Sequence, residues 1–319
     1  MRMINRTLYR LLLLSACLAI LGSTASATES GACVYPYGVD TVMTGLAPKP
    51  GSTTYYQYEA FVWKNETVDG NGNKIPIDFK LRVFASAIKL NHAWKLKLLG
   101  GSLDSYVAIP WGVFEELRLP NGPASTAQYS KFAMSNVGYS PLQIQWHKGM
   151  AHWILDTMQA WTPGVAYSSA DVLNIGQHNV AWGPAFSITL LPHKGRQEFG
   201  SRTTYIINGY DKVTHYRSGN EFMDEFTGMQ ELSKKWAVGA AGTIYYQTTD
   251  DRSHGARFQG GNRGRSLQIG PQVRYSMPYG GMAVKYYRDT LVQNQAKGNT
   301  LWFQYAVPFN GLQFNKRKE

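Results

Sequence analysis

Cysteine is nearly absent from this chain. Only Cys17 and Cys33 occur among 319 residues, and Cys17 falls within what reads as a cleaved leader, so the mature chain carries a single thiol. An intramolecular disulfide and a two-cysteine metal site are both excluded. Long apolar runs are missing as well. The run from Leu11 to Leu21 spans eleven residues, against the roughly 20 a helix needs to cross a bilayer, and none of that length follows residue 27. Helical membrane spans are thereby excluded, whereas a strand barrel is not. The seven histidines, at 92, 147, 152, 178, 193, 215 and 254, include no pair at the spacing of a helical metal motif, so no metal or other cofactor is expected. His-x-Ser, the arrangement used by barrel phospholipases, does not occur. His152 and Asp156 share a strand without a suitably placed serine, which points to lumen contacts and away from an enzyme. Asp250 and Asp251 are adjacent, so as strand residues they would point to opposite faces, a poor arrangement for calcium. Charge is not clustered either: 32 Lys and Arg stand against 21 Asp and Glu, a net +11 that falls to +8 when the leader removes three arginines. Basic residues scattered singly on an exported chain argue against nucleic acid.

The leader is the first thing the sequence does contain. Arg2, Arg6 and Arg10 precede the apolar run, and Ala25-Ser26-Ala27 follows it, the three regions of a secretory signal peptide cleaved after Ala27. Leu14-Ser15-Ala16-Cys17 resembles a lipoprotein cleavage site, but Leu18 to Leu21 carry the apolar run past the cysteine. Aromatics are plentiful, with 20 Tyr, 13 Phe and 9 Trp beside 32 Gly, while mean hydropathy stays at −0.30. Such a chain is rich in rings without being greasy, as outer-membrane barrels are.

Periodicity supports the same class. From residue 180 the even positions read Val180, Trp182, Pro184, Phe186, Ile188, Leu190, and the odd ones are small or polar. Similar two-residue alternation runs from Trp236 to Thr249, from Leu267 to Tyr275 and from Leu301 to Phe309, the pattern of strands with one apolar and one polar face. About twelve strands follow, near 53–65, 77–90, 102–112, 137–147, 150–161, 178–191, 197–210, 219–232, 235–249, 265–277, 282–291 and 299–309. The fold class expected is all-β, a closed antiparallel transmembrane barrel at 52–309 of a bacterial outer membrane. A signal peptide at 1–27 and a Pro- and Gly-rich segment at 28–51, a possible plug, precede it; a tail at 310–319 follows. Short and long connections alternate except near 91–101, and Pro184 and Pro271 imply a bulge or a rim position. A soluble secreted β-sandwich binding protein also alternates, but its strands average five or six residues.

Alternation assigns Glu59, Lys80, Arg82, Arg202, Asn208, Glu221, Glu225, Tyr245, Gln247, Gln268, Arg274, Lys285 and Tyr287 to the lumen as the candidate substrate-binding set. Tyr55, Phe61, Trp63, Phe84 and Trp302 are candidate aromatic walls. Mixed charges in a lumen also pair simply to hold a barrel in shape. Asp224 shares parity with Phe222 and Phe226 on the lipid side, where a charge near the midplane costs up to a few kcal/mol, so a rim position or a bulge is expected.

Residues 29–309 also resemble a known family. The carriers are Glu29-Ser30-Gly31, Tyr35-Pro36-Tyr37-Gly38, Pro48-x-Pro50-Gly51, Trp161-Thr162-Pro163-Gly164 and Asn174-x-Gly176 before Trp182. Thr214-x-Tyr216-Arg217-Ser218-Gly219-Asn220-Glu221-Phe222, Tyr245-Tyr246-Gln247 and Ile269-Gly270-Pro271 complete the set in order. It is similar to the SphA-like outer-membrane proteins linked to the meta-pathway of phenol degradation. The resemblance implies a barrel and passive uptake of hydrophobic or aromatic small molecules, with lipid and lipopolysaccharide around it and the insertion machinery recognising its last strand. A structural or adhesive barrel is the alternative function. The loop 113–136, the stretch 166–171 and the tail after Phe309 depart from the family pattern.

Overall fold

The computed structural model describes residues 33–120 and 125–309; the leader and the tail after Phe309 lie outside these residues. Twelve antiparallel staves close into a barrel. They are β1 (Thr53–Thr67), β2 (Lys80–Leu98), β3 (Gly101–Pro120), β5 (Gly138–Lys148), the split stave β6 (Ala151–Asp156) and β7 (Ala160–Trp161), and the split stave β8 (Ala181–Trp182) and β9 (Ala185–Leu190). The ring continues through β10 (Gln197–Asn208), β12 (Glu221–Glu231), β13 (Trp236–Gln247), β16 (Arg265–Met277), β17 (Gly280–Asp289) and β18 (Ala296–Phe309), which pairs with β1 from Thr53↔Phe309 to Thr67↔Ala296. Closure leaves no edge, as lipid requires, because an unpaired N–H or C=O there costs several kcal/mol.

Four further strands of the described residues lie outside the ring. β4 (Thr126–Ala133) extends the β3 hairpin, and β11 (Tyr216–Arg217), β14 (Arg252–Ser253) and β15 (Ala256–Arg257) form a small sheet among the long loops. Two expectations need correction here. β2 runs to Leu98 and turns tightly at Leu99 and Gly100, both at positive φ (51° and 78°), the backbone a two-residue hairpin turn demands. The presumed irregular connection at 91–101 is therefore strand and turn. β3 likewise continues to Pro120, so much of the presumed loop at 113–136 is a hairpin projecting from the barrel.

Burial alternates along the staves. In β10, Glu198, Gly200, Arg202, Thr204, Ile206 and Asn208 are buried while Phe199 faces out. Phe61, Phe114, Phe186, Phe199, Ile244, Ile269 and Phe303 are exposed rings and aliphatics on the outer surface, an apolar belt that water would not tolerate at this extent. A β-sandwich hides its apolar face and shows its polar one. This molecule does the reverse, which removes the soluble alternative.

The wall is interrupted at one place. Between β6 and β7, and between β8 and β9, residues 157–159 and 183–184 leave the ladder. Their polar groups are still met: Gly183 N–H donates to Gln159 O (2.8 Å), Tyr205 N–H to Pro184 O (3.0 Å), and the Trp182 indole to Thr157 O (2.8 Å). Pro184 thus occupies the irregularity its missing donor called for. At Pro271 the register is unbroken, but the β16–β17 pairing lapses between Ile269↔Arg288 and Gln272↔Lys285, so the missing donor falls in a gap of the ladder and not in a bulge.

Candidate functional site

The lumen is occupied by the chain itself. Residues 33–52 have no regular structure, yet many of their backbone groups from Tyr37 to Pro48 are met by inward side chains of the barrel, the condition for burying irregular backbone. Asp40 N–H donates to Glu225 Oε1 (3.0 Å), and Tyr35 donates its hydroxyl to the same carboxylate (2.5 Å). Lys285 Nζ donates to the carbonyls of Gly38 (3.0 Å) and Val39 (2.7 Å). Thr41 donates to Gln272 Oε1 (2.7 Å) and touches Tyr287 OH at 2.9 Å; Met43 N–H donates to Glu198 Oε1 (2.7 Å). Near the short-turn end, Gly45 N–H reaches Thr189 Oγ1 (2.8 Å) and Gln145 donates to Pro48 O (3.1 Å). Asp40 also lies 3.5 Å from Lys89 and 3.6 Å from Arg202, which itself approaches Asp156 at 3.8 Å. Buried charges depend on such partners, and removing one costs about 3–5 kcal/mol because the other is left uncompensated.

Two glycines set how closely the segment docks. Gly38 has φ +80°, and a Cβ there would sit 2.4 Å from the Tyr287 ring; at Gly45 a Cβ would meet the backbone oxygen of His152 at 2.3 Å. Larger residues at either position would lift the segment from the wall.

Opposite this polar contact lies an apolar cavity of about 80 Å³ between Tyr35, Pro36 and Val39 of the segment and Tyr58, Ala87 and Ala108 of β1 to β3. Trp161 closes it on the side of the wall interruption, its ring packed edge to face on Tyr35 at 5.9 Å and against Gly183.

Ten of the thirteen lumen candidates face inward and are buried or hold inward partners: Arg202, Asn208, Glu221, Glu225, Tyr245, Gln247, Gln268, Arg274, Lys285 and Tyr287. Arg202, Glu225, Lys285 and Tyr287 meet at the segment or beside it. Arg274 pairs with Glu198, whereas Asn208 bonds Glu221 (2.7 Å) and Gln268 bonds Asp289 (2.7 Å) as wall-to-wall contacts. Glu59, Lys80 and Arg82 face outward. They pair across the ladder with Phe303, Arg118 and Trp63, on the same face as Phe61 and Phe84. Tyr55, Phe61, Trp63 and Phe84 are outer-surface residues for the same reason; Phe61 and Phe84 rings sit 5.0 Å apart, and Trp63 lies 6.1 Å from Tyr286. Both faces of β1 carry aromatics, so parity alone picked the wrong one. Glu59 is kept polar on the lipid side by Gln57 (2.6 Å) and Ser86 (2.9 Å).

Asp224 does lie on the outer face, but the β10–β12 register is unbroken there. Ser201 and Thr203 donate to its carboxylate (2.8 and 2.7 Å), so local hydroxyls stand in for the expected bulge. Asp156 accepts from Ser140 and Gln143 while His152 contacts His147; no dyad forms. Asp40, Thr41, Glu198 and Gln272 were not among the candidates. Glu198 shares parity with Arg202 and was findable; Asp40 and Thr41 lie in a segment without periodicity, where no such signal exists.

The structure resembles that of the COG4313 outer membrane channel from Pseudomonas putida F1, at 13% identity and a TM-score of 0.66, covering 82% of this chain and 97% of that one. A Pseudomonas aeruginosa FadL homologue aligns at 10% identity with a TM-score of 0.38, over 86% and 99% of the two chains. Among curated proteins none matches. A closed barrel with this apolar belt sits in the bacterial outer membrane. Residues 64–305 match the family model described as "Putative MetA-pathway of phenol degradation", and with that span the chain belongs to this family.

Proposed function

We propose that the barrel carries hydrophobic or aromatic small molecules passively across the outer membrane, with residues 28–51 as a plug that moves to admit them. The observation that carries this is the apolar cavity between the plug and the β1–β3 wall, set in a lumen otherwise rich in buried polar and charged side chains. A polar pore repels an apolar solute; an aromatic-lined recess beside a few polar anchors receives one. Its 80 Å³ falls below the roughly 300 Å³ at which ligand pockets begin. Entry of a ring-sized solute therefore requires the plug to shift. The family description agrees with this substrate class. The last strand, reaching Phe309, serves the insertion machinery in this scheme, and residues 1–27 the export machinery.

The test is uptake of a labelled aromatic hydrocarbon by cells lacking the protein, set against uptake of a small sugar. Aromatic uptake is expected to fall while sugar uptake holds. Equal ratios to wild type for both solutes would sink the proposal.

A further inference from the structure

Long loops of such barrels face outward from the cell and short turns the periplasm, which places the ends of β12, β13 and β16 near residues 217–221 and 247–265 at the extracellular rim. Arginine gathers there. Arg217, Arg252 and Arg263 line a cavity of about 310 Å³ together with Ser218, Asn220, Thr249 and Asp250. Asp250 is the one carboxylate of that lining, and Arg263 (2.7 Å) and Arg257 (2.9 Å) already neutralise it; the Arg263 hydrogen bond holds its pKa below the usual carboxylate value. Among the described residues no carboxylate pairs with Arg217, Arg252, Arg265 or Arg288. Neutral groups hold two of these guanidinium groups: Arg217 Nε donates to Asn208 O (3.0 Å) and Arg252 to Gly255 O (3.1 Å). Arg265 lies over the Tyr246 ring at 4.6 Å. A guanidinium fixed by carbonyls or a ring keeps its charge for another partner.

One lining residue of the cavity, Asn220, precedes β12 with the outward parity of Phe222. Next to it on the outer face Tyr205, Phe222 and Tyr246 form a cross-strand row, Tyr205↔Phe222↔Tyr246. Tyr205 OH meets Thr248 Oγ1 at 3.0 Å, so the row ends in hydroxyls where the arginines begin. Outward Arg265 and Arg288 extend the basic surface along β16 and β17. A ligand filling this place must present apolar chains to the ring row and an anionic head to the arginines, in a volume suited to one phosphorylated sugar.

We propose that this cavity is a binding site for the phosphorylated head of an outer-leaflet glycolipid, the lipid A phosphate of lipopolysaccharide. Phosphate accepts bidentate guanidinium contacts, and the acyl chains lie along Phe222 and Tyr246. The site anchors the barrel laterally and stands apart from the plugged lumen, so it does not depend on which solute the barrel carries.

The experiment uses the full mature chain in detergent, with R217Q/R252Q as the variant, which leaves the Arg263–Asp250 pair in place, and heat-shifted gel migration as the folding control. Binding of diphosphorylated lipid A is compared with that of its dephosphorylated form and with competition by inorganic phosphate. Wild type should bind the phosphorylated lipid at least about tenfold more tightly than the variant, the scale of losing one or two charged hydrogen bonds. The dephosphorylated lipid should not distinguish the two proteins, and millimolar inorganic phosphate should displace little lipid. Equal lipid A binding by a folded variant overturns the proposal. So does full displacement by inorganic phosphate, which would make the cavity a free-anion site, or equal binding of both lipid forms, which would make it an acyl-chain surface.

Discussion

The inner wall of the barrel has two unlike halves. From β10 through β17 it presents Glu198, Arg202, Glu225, Gln272 and Lys285, and each meets the N-terminal segment or a charge beside it. Beside the cavity, β1 through β3 present Tyr58, Ala60, Ala85, Ala87 and Ala108, with Lys89 the cation reaching across to Asp40 and buried Asn91 and Asp104 nearer the short-turn end. The first half holds the segment by hydrogen bonds; the second leaves an apolar gap against it. Grip and space are thereby separated, so a plug can stay attached along one side while the other opens. That separation predicts that changes to the polar half act on docking and changes to the apolar half act on solute.

The largest effect is expected from Lys285→Met. It strips the carbonyls of Gly38 and Val39 of their donor inside the lumen, a loss of about 3–5 kcal/mol for a buried charged partner. Amide exchange across residues 35–45 should then quicken by about two to three orders of magnitude, at one order per 1.4 kcal/mol. Unchanged protection would show that the polar half does not hold the segment.

Gly45→Val comes next. The new side chain meets backbone at His152 and Thr189, which cannot rotate away, and overpacking of this kind costs about 1–3 kcal/mol. Limited proteolysis near residues 45–50 should increase while the barrel keeps its heat-modifiable migration. Filling the apolar half instead, with Ala87→Leu, should leave protection of 35–45 unchanged and lower aromatic uptake a few-fold, the added methylenes taking up much of an 80 Å³ space. Equal aromatic uptake in that variant would take the cavity off the solute's path and erase the functional half of the comparison.

The sequence made one half of this wall far more legible than the other. On β10, β12 and β13 small and charged residues alternate with Phe199, Phe222 and Ile244, so parity separates the faces without ambiguity. On β1 both series contain rings, Tyr55, Phe61 and Trp63 outside and Tyr56 and Tyr58 inside, and a one-residue choice moves every side chain to the other face. Glu59 and Arg82 followed that choice to the wrong side. The plug contacts were invisible for a different reason. Asp40 and Thr41 act through long-range pairs with Glu225 and Gln272, and no local period encodes a partner more than 180 residues away.

The smallest effect tests whether the polar half's order extends above the membrane. Asp251, in the loop after β13, accepts from Tyr216 OH (2.6 Å), Gly219 N–H (2.7 Å) and Gln247 (2.7 Å) and joins that loop to the start of β12. Burial pushes its carboxyl up to about 7, the three donors opposing the shift. An open loop would ionise near the ordinary value of 3.8, so between these limits the closed loop retains a proton that the open one releases. Closure is then strongest at low pH and weakens as pH rises through that window. Exchange at residues 216–219, corrected for intrinsic chemistry, should be several-fold slower at pH 5 than at pH 8. Asp251→Asn should flatten the dependence because nothing remains to titrate. A wild-type profile as flat as the variant's would mean that the donors outweigh burial and keep Asp251 ionised, so that this loop is fastened by charge, as the plug is.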